Sequence, residues 1–166
     1  MHLNPMPVIN RKWYAIYVKP NHEKTTVEYL KEKGIEAYCP INRTYRQWSD
    51  RIKLVELPLL SCYVFVKILL KKEKVKVLET NSVRNFIKNV GEPAVIREQE
   101  MQQLKLFAIN YTDIKVETIR LQGFEDQPIK LKEVLEDNKV VLELPSLGFS
   151  LTASLNKDGK AIAFLR

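Results

Sequence analysis

The sequence predicts an α+β protein in which a domain of about 110 residues, with helices packed on a mixed sheet, is followed by a small all-β barrel of the SH3-like kind. Three observations predict it. Trp13 to Pro20 (WYAIYVKP) and Pro58 to Val66 (PLLSCYVFV) are strand runs that are apolar or aromatic on both alternating faces, so each must be covered on two sides. Segments with helical spacing lie between and after them. Towards the C-terminus, short alternating runs separated by turn residues replace the helices. A chain of 166 residues has few helices to spare for two faces, which leaves one face free for another protein.

Residues 1–11 carry Pro5 and Pro7 with no periodicity and read as a flexible arm. The first domain spans residues 12–110. In its first strand Trp13, Ala15 and Tyr17 share one face, and Tyr14, Ile16 and Val18 share the opposite one. Pro20 ends the strand, and Asn21 is the expected N-cap of a helix from His22 to about Lys33, with Glu23 near its positive end. Val27 and Leu30 supply its buried stripe with Tyr29 beside it, while Gly34 and Ile35 form a Schellman ending on Leu30. A long hairpin is expected next, from Glu36 to Tyr45 and from Ile52 to Leu57, around a turn at Trp48-Ser49-Asp50. Arg43, Arg46 and Arg51 with Tyr45 and Trp48 suit phosphate contact and base stacking, or equally a solvated tip whose aromatics pack across the strands.

Cys62 to Val66 is the central strand. Lys71 to Leu78 is a short basic helix with Val75 and Leu78 as its apolar pair, Ser82 to Ile87 a strand, and Gly91-Glu92-Pro93 a turn. Glu98 to Ile109 closes the domain as an amphipathic helix with Met101, Leu104, Phe107 and Ala108 inward. Residues 111–117 serve as a linker and residues 118–166 as the barrel. There Val140 to Leu144 is apolar, Pro145 to Gly148 turns, and Phe149, Leu151, Ala153 and Leu155 alternate with Ser150, Thr152 and Ser154. Asp158-Gly159 marks a further hairpin before Ala161 to Leu165.

Charge separates the two parts. Residues 1–110 hold 19 Lys+Arg against 11 Asp+Glu, and residues 111–166 hold 8 against 9. A basic domain joined to a near-neutral one suits contact with nucleic acid, or a solvated basic surface. Catalysis finds no support: His2 and His22 cannot build a metal pair or a Ser/His/Asp set, and the five glycines are all isolated, which excludes a phosphate-binding loop. No catalytic residue, metal, cofactor or small-molecule substrate is expected. Cys39 and Cys62 read as reduced core thiols. No apolar run approaches the ~20 residues of a membrane span and no signal peptide is recognisable, so a cytoplasmic protein is expected.

The ordered set WYAIYVKPNHEK, amphipathic helix, KGIEAYCP, basic hairpin, PLLSCYVFV, VLETNSVRNFI, GEPAVI and final helix resembles the N-terminal domain of the NusG family of transcription elongation factors, over roughly Arg11 to Ile109. It looks most like the specialised paralogues, the RfaH and UpxY type of antiterminators. KVVLELPSLGFSLTASL matches the later strands of the family's KOW-type SH3-like barrel, whose glycine-rich opening is not recognisable around Leu121 to Ile129, so the motif is degenerate. The resemblance implies that Tyr17, Leu60, Tyr63, Phe65 and Ile96 grip the clamp of bacterial RNA polymerase. It implies that Lys19, His22, Lys24, Arg43, Thr80 and Asn81 contact exposed non-template single-stranded DNA or nascent RNA. Lys71, Lys72 and Lys74 resemble the element that faces the opposite polymerase lobe, and equally a solvated helix face. An RNA-binding module associated with translation and a non-catalytic interaction adaptor are the alternative readings.

Overall fold

A computed structural model describes residues 10–118, 130–134 and 138–155, with the backbone alone for 130–134. The first sheet runs in the order β2-β5-β1-β6, from Glu36–Tyr38 (β2), Tyr63–Ile68 (β5), Lys12–Val18 (β1) and Val83–Phe86 (β6), and Val95–Ile96 (β9) pairs with β1 beside β6. A mixed sheet was the expectation; every described pairing in it is antiparallel. The topology explains the difference. Helix α1 (Glu23–Glu32) carries the chain from β1 to β2, and α2 (Leu70–Leu78) carries it from β5 to β6. Each crossover skips one position, and β5 or β1 fills the gap as in a split βαβ unit, so parallel strands never become neighbours.

Strand alternation divides the core into two clusters. Tyr14, Ile16, Val18, Val64, Val66 and Ile68 face α1 and α2, where they meet Leu30, Ile35 and Val77. Trp13, Ala15 and Phe65 face the other way, towards Met101, Leu104 and Phe107 of α3 (Glu98–Asn110). Both β1 and β5 are therefore covered on two sides, as runs with two apolar faces require.

Helix α1 departs from its expected start. Asn21 takes a left-handed φ of 65°, and His22 is the N-cap without a side-chain cap bond. Its Schellman ending is present: Gly34 at φ 79° donates its N–H to the Lys31 carbonyl and Ile35 donates to the Leu30 carbonyl, each at 2.9 Å. The buried face is Glu23, Thr26 and Leu30, with Tyr29 outward and Val27 half-buried. Thr26 is tolerated there because its hydroxyl donates to the His22 carbonyl and shares a hydrogen bond with Ser82, both at 2.6 Å. Glu23 is buried because its carboxylate accepts the Cys62 N–H at 3.0 Å. In α2 the expected apolar pair Val75 and Leu78 is exposed; the sheet-facing residues are the buried Val77 and, seven positions earlier, the half-buried Leu70.

The expected hairpin strand from Glu36 to Tyr45 is broken at Pro40. β2 stays in the first sheet, while β3 (Ile41–Gln47) and β4 (Ile52–Pro58) form a separate two-stranded ribbon. A proline cannot donate to the ladder, so pairing changes partner there. A tiny hairpin of β7 (Lys88–Asn89) and β8 (Glu92–Pro93) turns through Val90 and Gly91, both at positive φ.

The C-terminal strands form a four-stranded antiparallel sheet in the order β10-β13-β12-β11, from Lys115–Thr118 (β10), Lys130–Val134 (β11), Lys139–Leu144 (β12) and Phe149–Ser154 (β13). β10 occupies the second half of the stretch read as a linker. The turn at Pro145 to Gly148 and the alternation after it lie where the sequence places them. No closed barrel is present among the described residues, and the expected strand from Ala161 to Leu165, the Asp158-Gly159 turn and the Leu121 to Ile129 stretch lie outside them. The apolar face of this sheet, Val140, Leu142, Leu144, Leu151 and Ala153, joins the same core cluster as Trp13 and Phe65.

Candidate functional site

The second face of the first sheet is built from β1, β5 and β9. Across the β1–β5 ladder Tyr17 stands opposite Tyr63, Ala15 opposite Phe65 and Trp13 opposite Lys67, while Ile96 lies opposite Trp13 on the far side. Leu59 and Leu60, in the turn before β5, complete it. Of the five residues expected to grip a polymerase, Leu60, Phe65 and Ile96 are fully buried, Tyr63 is half-buried and Tyr17 is 37% exposed. The cover is not only α3. Tyr17 and Tyr63 meet edge to face with centroids 5.6 Å apart, and Tyr63 repeats that geometry with Phe149 of β13 at 5.6 Å. An aromatic row thus runs from the ends of the two inner strands, β1 and β5, onto the second sheet. Burial, with Tyr17 and Cys62 nearby, raises the Tyr63 phenol above its ordinary 10.0.

Polar bonds fasten the same junction. Glu100 of α3 is fully buried, and one carboxylate oxygen accepts Arg97 Nε at 3.2 Å, Arg97 Nη2 at 2.6 Å and the Ser146 N–H at 3.2 Å. Its second oxygen has no partner among the described residues, and the same is true of the buried Trp13 indole N–H. The Trp13 ring instead meets the Lys105 ammonium at 4.8 Å, which also sits 5.2 Å from the Tyr38 ring. At the ribbon root, Asn42 exchanges two hydrogen bonds with the backbone of Ile114, at 2.9 and 3.0 Å.

A second region lies on the opposite side of β1. Lys19, His22, Thr80 and Asn81 line one open cavity of about 510 Å³ with Tyr29, Glu32, Lys33, Glu79 and Ser82, so its two lysines are matched by two carboxylates. Tyr29 is 48% exposed and offers a ring face, and Lys33 donates to the Thr80 hydroxyl at 2.9 Å. The other two expected nucleic-acid residues are elsewhere. Lys24 donates to the Glu56 carbonyl at 2.9 Å, and Arg43 donates to the Ile109 carbonyl. Both brace the ribbon root. Lys71, Lys72 and Lys74 are exposed along α2.

Trp13, Glu100, Ser146, Phe149 and Tyr29 were not among the expected site residues. Glu100 carried a readable signal, since it occupies a position of the α3 stripe four residues before Leu104. Cys39 and Cys62 are free thiols. Among the described residues no group of three or more His, Cys, Asp or Glu could hold a metal, and no helix is long and apolar enough to cross a membrane.

The first domain is thus a split-βαβ sheet with α1 and α2 on one face and an aromatic-rich second face that packs with α3 and the C-terminal sheet. The chain belongs to the NusG family: residues 11–105, more than half of its length, match the family described as transcription termination factor nusG. This is a family of non-catalytic transcription elongation factors that bind RNA polymerase. The fold agrees with a solved structure described as "Domain interaction in Thermotoga maritima NusG", at 19% identity over 90% of this chain and 96% of that one, with a TM-score of 0.52. A structure of the MjSpt4:Spt5 complex in conformation A is 17% identical over 87% of this chain and 99% of that one, with a TM-score of 0.33. No curated protein sequence matches the chain.

Proposed function

We propose that this protein is a specialised elongation factor of the antiterminator type, which grips the polymerase clamp through Tyr17, Tyr63, Phe65, Leu60 and Ile96 and promotes processive transcription of a particular operon. The cavity of Lys19, His22, Thr80 and Asn81 takes an unpaired base of the non-template strand, with Tyr29 as a stacking partner and polar contacts rather than net charge holding the base, since Glu32 and Glu79 offset Lys19 and Lys33. The C-terminal strands belong to a degenerate KOW-type barrel. In the resting chain their sheet covers the gripping face, so binding requires that it move aside.

The observation that carries this reading is the apolar second face of β1 and β5, which shares one core cluster with α3 and the C-terminal sheet and meets that sheet where Tyr63 packs on Phe149. An aromatic-rich face with a few buried anchors is what a protein interface needs. The Thermotoga maritima structure is itself described as a domain interaction.

Interferometry of the full chain on bacterial RNA polymerase core, and on a paused elongation complex with an exposed non-template strand, tests it. Phe149→Asp, which puts a charge where the second sheet meets Tyr63, is expected to bind polymerase more tightly than the parent chain. Tyr17→Ala, confirmed as folded by circular dichroism, is expected to bind more weakly. Equal binding by all three chains would remove the sheet face from the mechanism.

A further inference from the structure

The ribbon of β3 and β4 is left unexplained by the gripping face and by the cavity beside α1. Its root is fixed by Lys24, Arg43 and Asn42 as described, and the Leu59 N–H donates to the Pro40 carbonyl at 2.8 Å. Its seven-residue strands reach roughly 20 Å from that root. The tip is closed by the Trp48 N–H donating to the Arg51 carbonyl at 2.7 Å. On one face of the outer ribbon Tyr45 lies opposite Leu54 and Gln47 opposite Ile52, while on the other Arg46 lies directly opposite Lys53. Trp48 is 54% exposed, and Arg46, Arg51 and Lys53 are all exposed.

Two features of this tip are unfavourable in the protein by itself. Like charges directly opposite each other destabilise a ribbon, and among the described residues no carboxylate pairs with Arg46, Lys53 or Arg51. A large indole stands at the turn with more than half of its surface in water. Both features are relieved by one ligand: an anion array for the cations and a flat apolar ring for Trp48.

We propose that the ribbon tip is a second nucleic-acid site, which takes a single strand by stacking an unpaired base on Trp48 and laying the adjacent phosphates along Arg46, Arg51 and Lys53. A single strand is favoured over a duplex because Trp48 needs an open base face, which paired and stacked bases do not offer. It is favoured over an acidic peptide because carboxylates would satisfy the cations and leave the indole unused. The site is on a different element from the cavity of Lys19 and Asn81 and does not depend on polymerase binding.

Titration of the full chain with fluorescein-labelled oligo(dT) and oligo(U), followed by anisotropy at several salt concentrations and by tryptophan emission, tests this. Trp13 is buried and Trp48 exposed, so quenching of the long-wavelength emission reports on Trp48. Saturating oligonucleotide is expected to quench it, and Lys19→Ala/Asn81→Ala is expected to leave that quenching in place. Trp48→Ala is expected to weaken binding about tenfold or more, with Trp48→Phe recovering part of the loss. Arg46→Ser/Arg51→Ser/Lys53→Ser is expected to lower the log–log salt slope by about 2, the release of about three phosphate contacts on a single strand. Quenching of Trp48 by either strand that survives Lys19→Ala/Asn81→Ala, with loss of affinity in the tip variants, fulfils the proposal and shows which strand the tip prefers. It is overturned by a parent chain that binds neither strand, by emission that saturating strand leaves unchanged, by an unlabelled duplex that competes as well as the single strand, or by tip variants that keep the parent affinity and slope.

Discussion

The two faces of the first sheet come from the same strands and differ in what covers them. On the helix side, Ile16, Val64 and Val66 meet residues of α1 and α2 that lie within the same domain, and the polar pair buried there, Thr26 and Ser82, is mutually bonded. On the other side, Trp13 and Phe65 meet α3 and a sheet from the far end of the chain. Both buried side-chain atoms without partners among the described residues, Trp13 Nε1 and Glu100 Oε2, belong to this side. Each such atom carries a desolvation cost that no bond offsets. Nearly identical strand patterns thus produce one face whose buried side-chain polar groups are satisfied and one that leaves two such atoms without partners among the described residues; under the proposed function the first is a permanent core and the second an exchangeable contact.

The largest predicted effect separates the two faces directly. Leu30→Ala on the helix side should lower global stability by about 2–5 kcal/mol in urea unfolding, the ordinary cost of a leucine cavity. Leu151→Ala removes the same methyl groups from an equally buried site in β13. Its loss should fall on opening of the second sheet, seen as faster amide exchange in β12 and β13 while β1 and β5 keep their protection. If both variants lower protection everywhere by the same amount, the faces form one cooperative unit and the contrast fails.

Next in size is the buried carboxylate. Arg97→Ala leaves Glu100 with the Ser146 N–H as its remaining described partner and should destabilise the closed arrangement by about 1–3 kcal/mol. Arg97→Ala/Glu100→Leu removes the stranded charge and should recover much of that loss, because an apolar residue fits the site better than a half-paired ion. A double variant no more stable than the single one would mean that the carboxylate contributes through Ser146 alone.

How far the sequence could be read follows the same division. The helix side was legible because its signals are local: strict alternation in β1 and β5, Gly34 ending α1, and the apolar spacing of α3. The misreadings there are also local. Val77 rather than Val75 faces the sheet because it shares a helix side with Leu70, seven residues earlier, which packs on the same cluster, and Thr26 enters the core because its hydroxyl is satisfied by a residue 56 positions away. Pro40 does carry a readable break, since a strand that loses a donor changes partner. The need for a cover on the second face was legible, but its identity was not. Alternation in β13 says that Leu151 and Ala153 share a face, and nothing in that spacing says whether they enclose a barrel or meet Trp13. Of the residues expected to contact nucleic acid, the resemblance marked Lys19, His22, Thr80 and Asn81, which the fold gathers in one cavity. It also marked Lys24 and Arg43, whose polar ends are bonded to backbone carbonyls that lie far away in sequence.

Alkaline pH should produce a smaller, graded effect. Burial, reinforced by Glu23, pushes the Cys39 thiol up from 9.0 to about 12, and burial pushes the Tyr38 phenol up from 10.0 to about 12. In the unfolded chain the thiol loses its proton near pH 9, whereas the folded chain holds it until about 12. The stability from the half-buried neutral thiol is therefore complete below pH 9 and declines as the pH rises from there towards 12. Melting temperatures between pH 8 and 11 should fall for the parent chain and fall less for Cys39→Ala, with Tyr38 accounting for part of the residual slope. A slope unchanged by Cys39→Ala would assign the loss to the tyrosines.

The smallest predicted effect is the most selective. Lys105, Trp13 and Tyr38 form a cation–aromatic cluster on the second side of the sheet, yet all three residues precede β10 and stay together if the C-terminal sheet moves away. Lys105→Met keeps the length and apolar stem and removes only the charge, so it should cost about 0.5–1 kcal/mol. That loss should appear in the urea midpoint of the first domain, and the balance between covered and uncovered sheet, read from amide exchange in β12 and β13, should not change. A shift in that balance would mean that the ammonium also steadies the second sheet. The boundary between permanent core and exchangeable contact would then run through α3 rather than between α3 and β13.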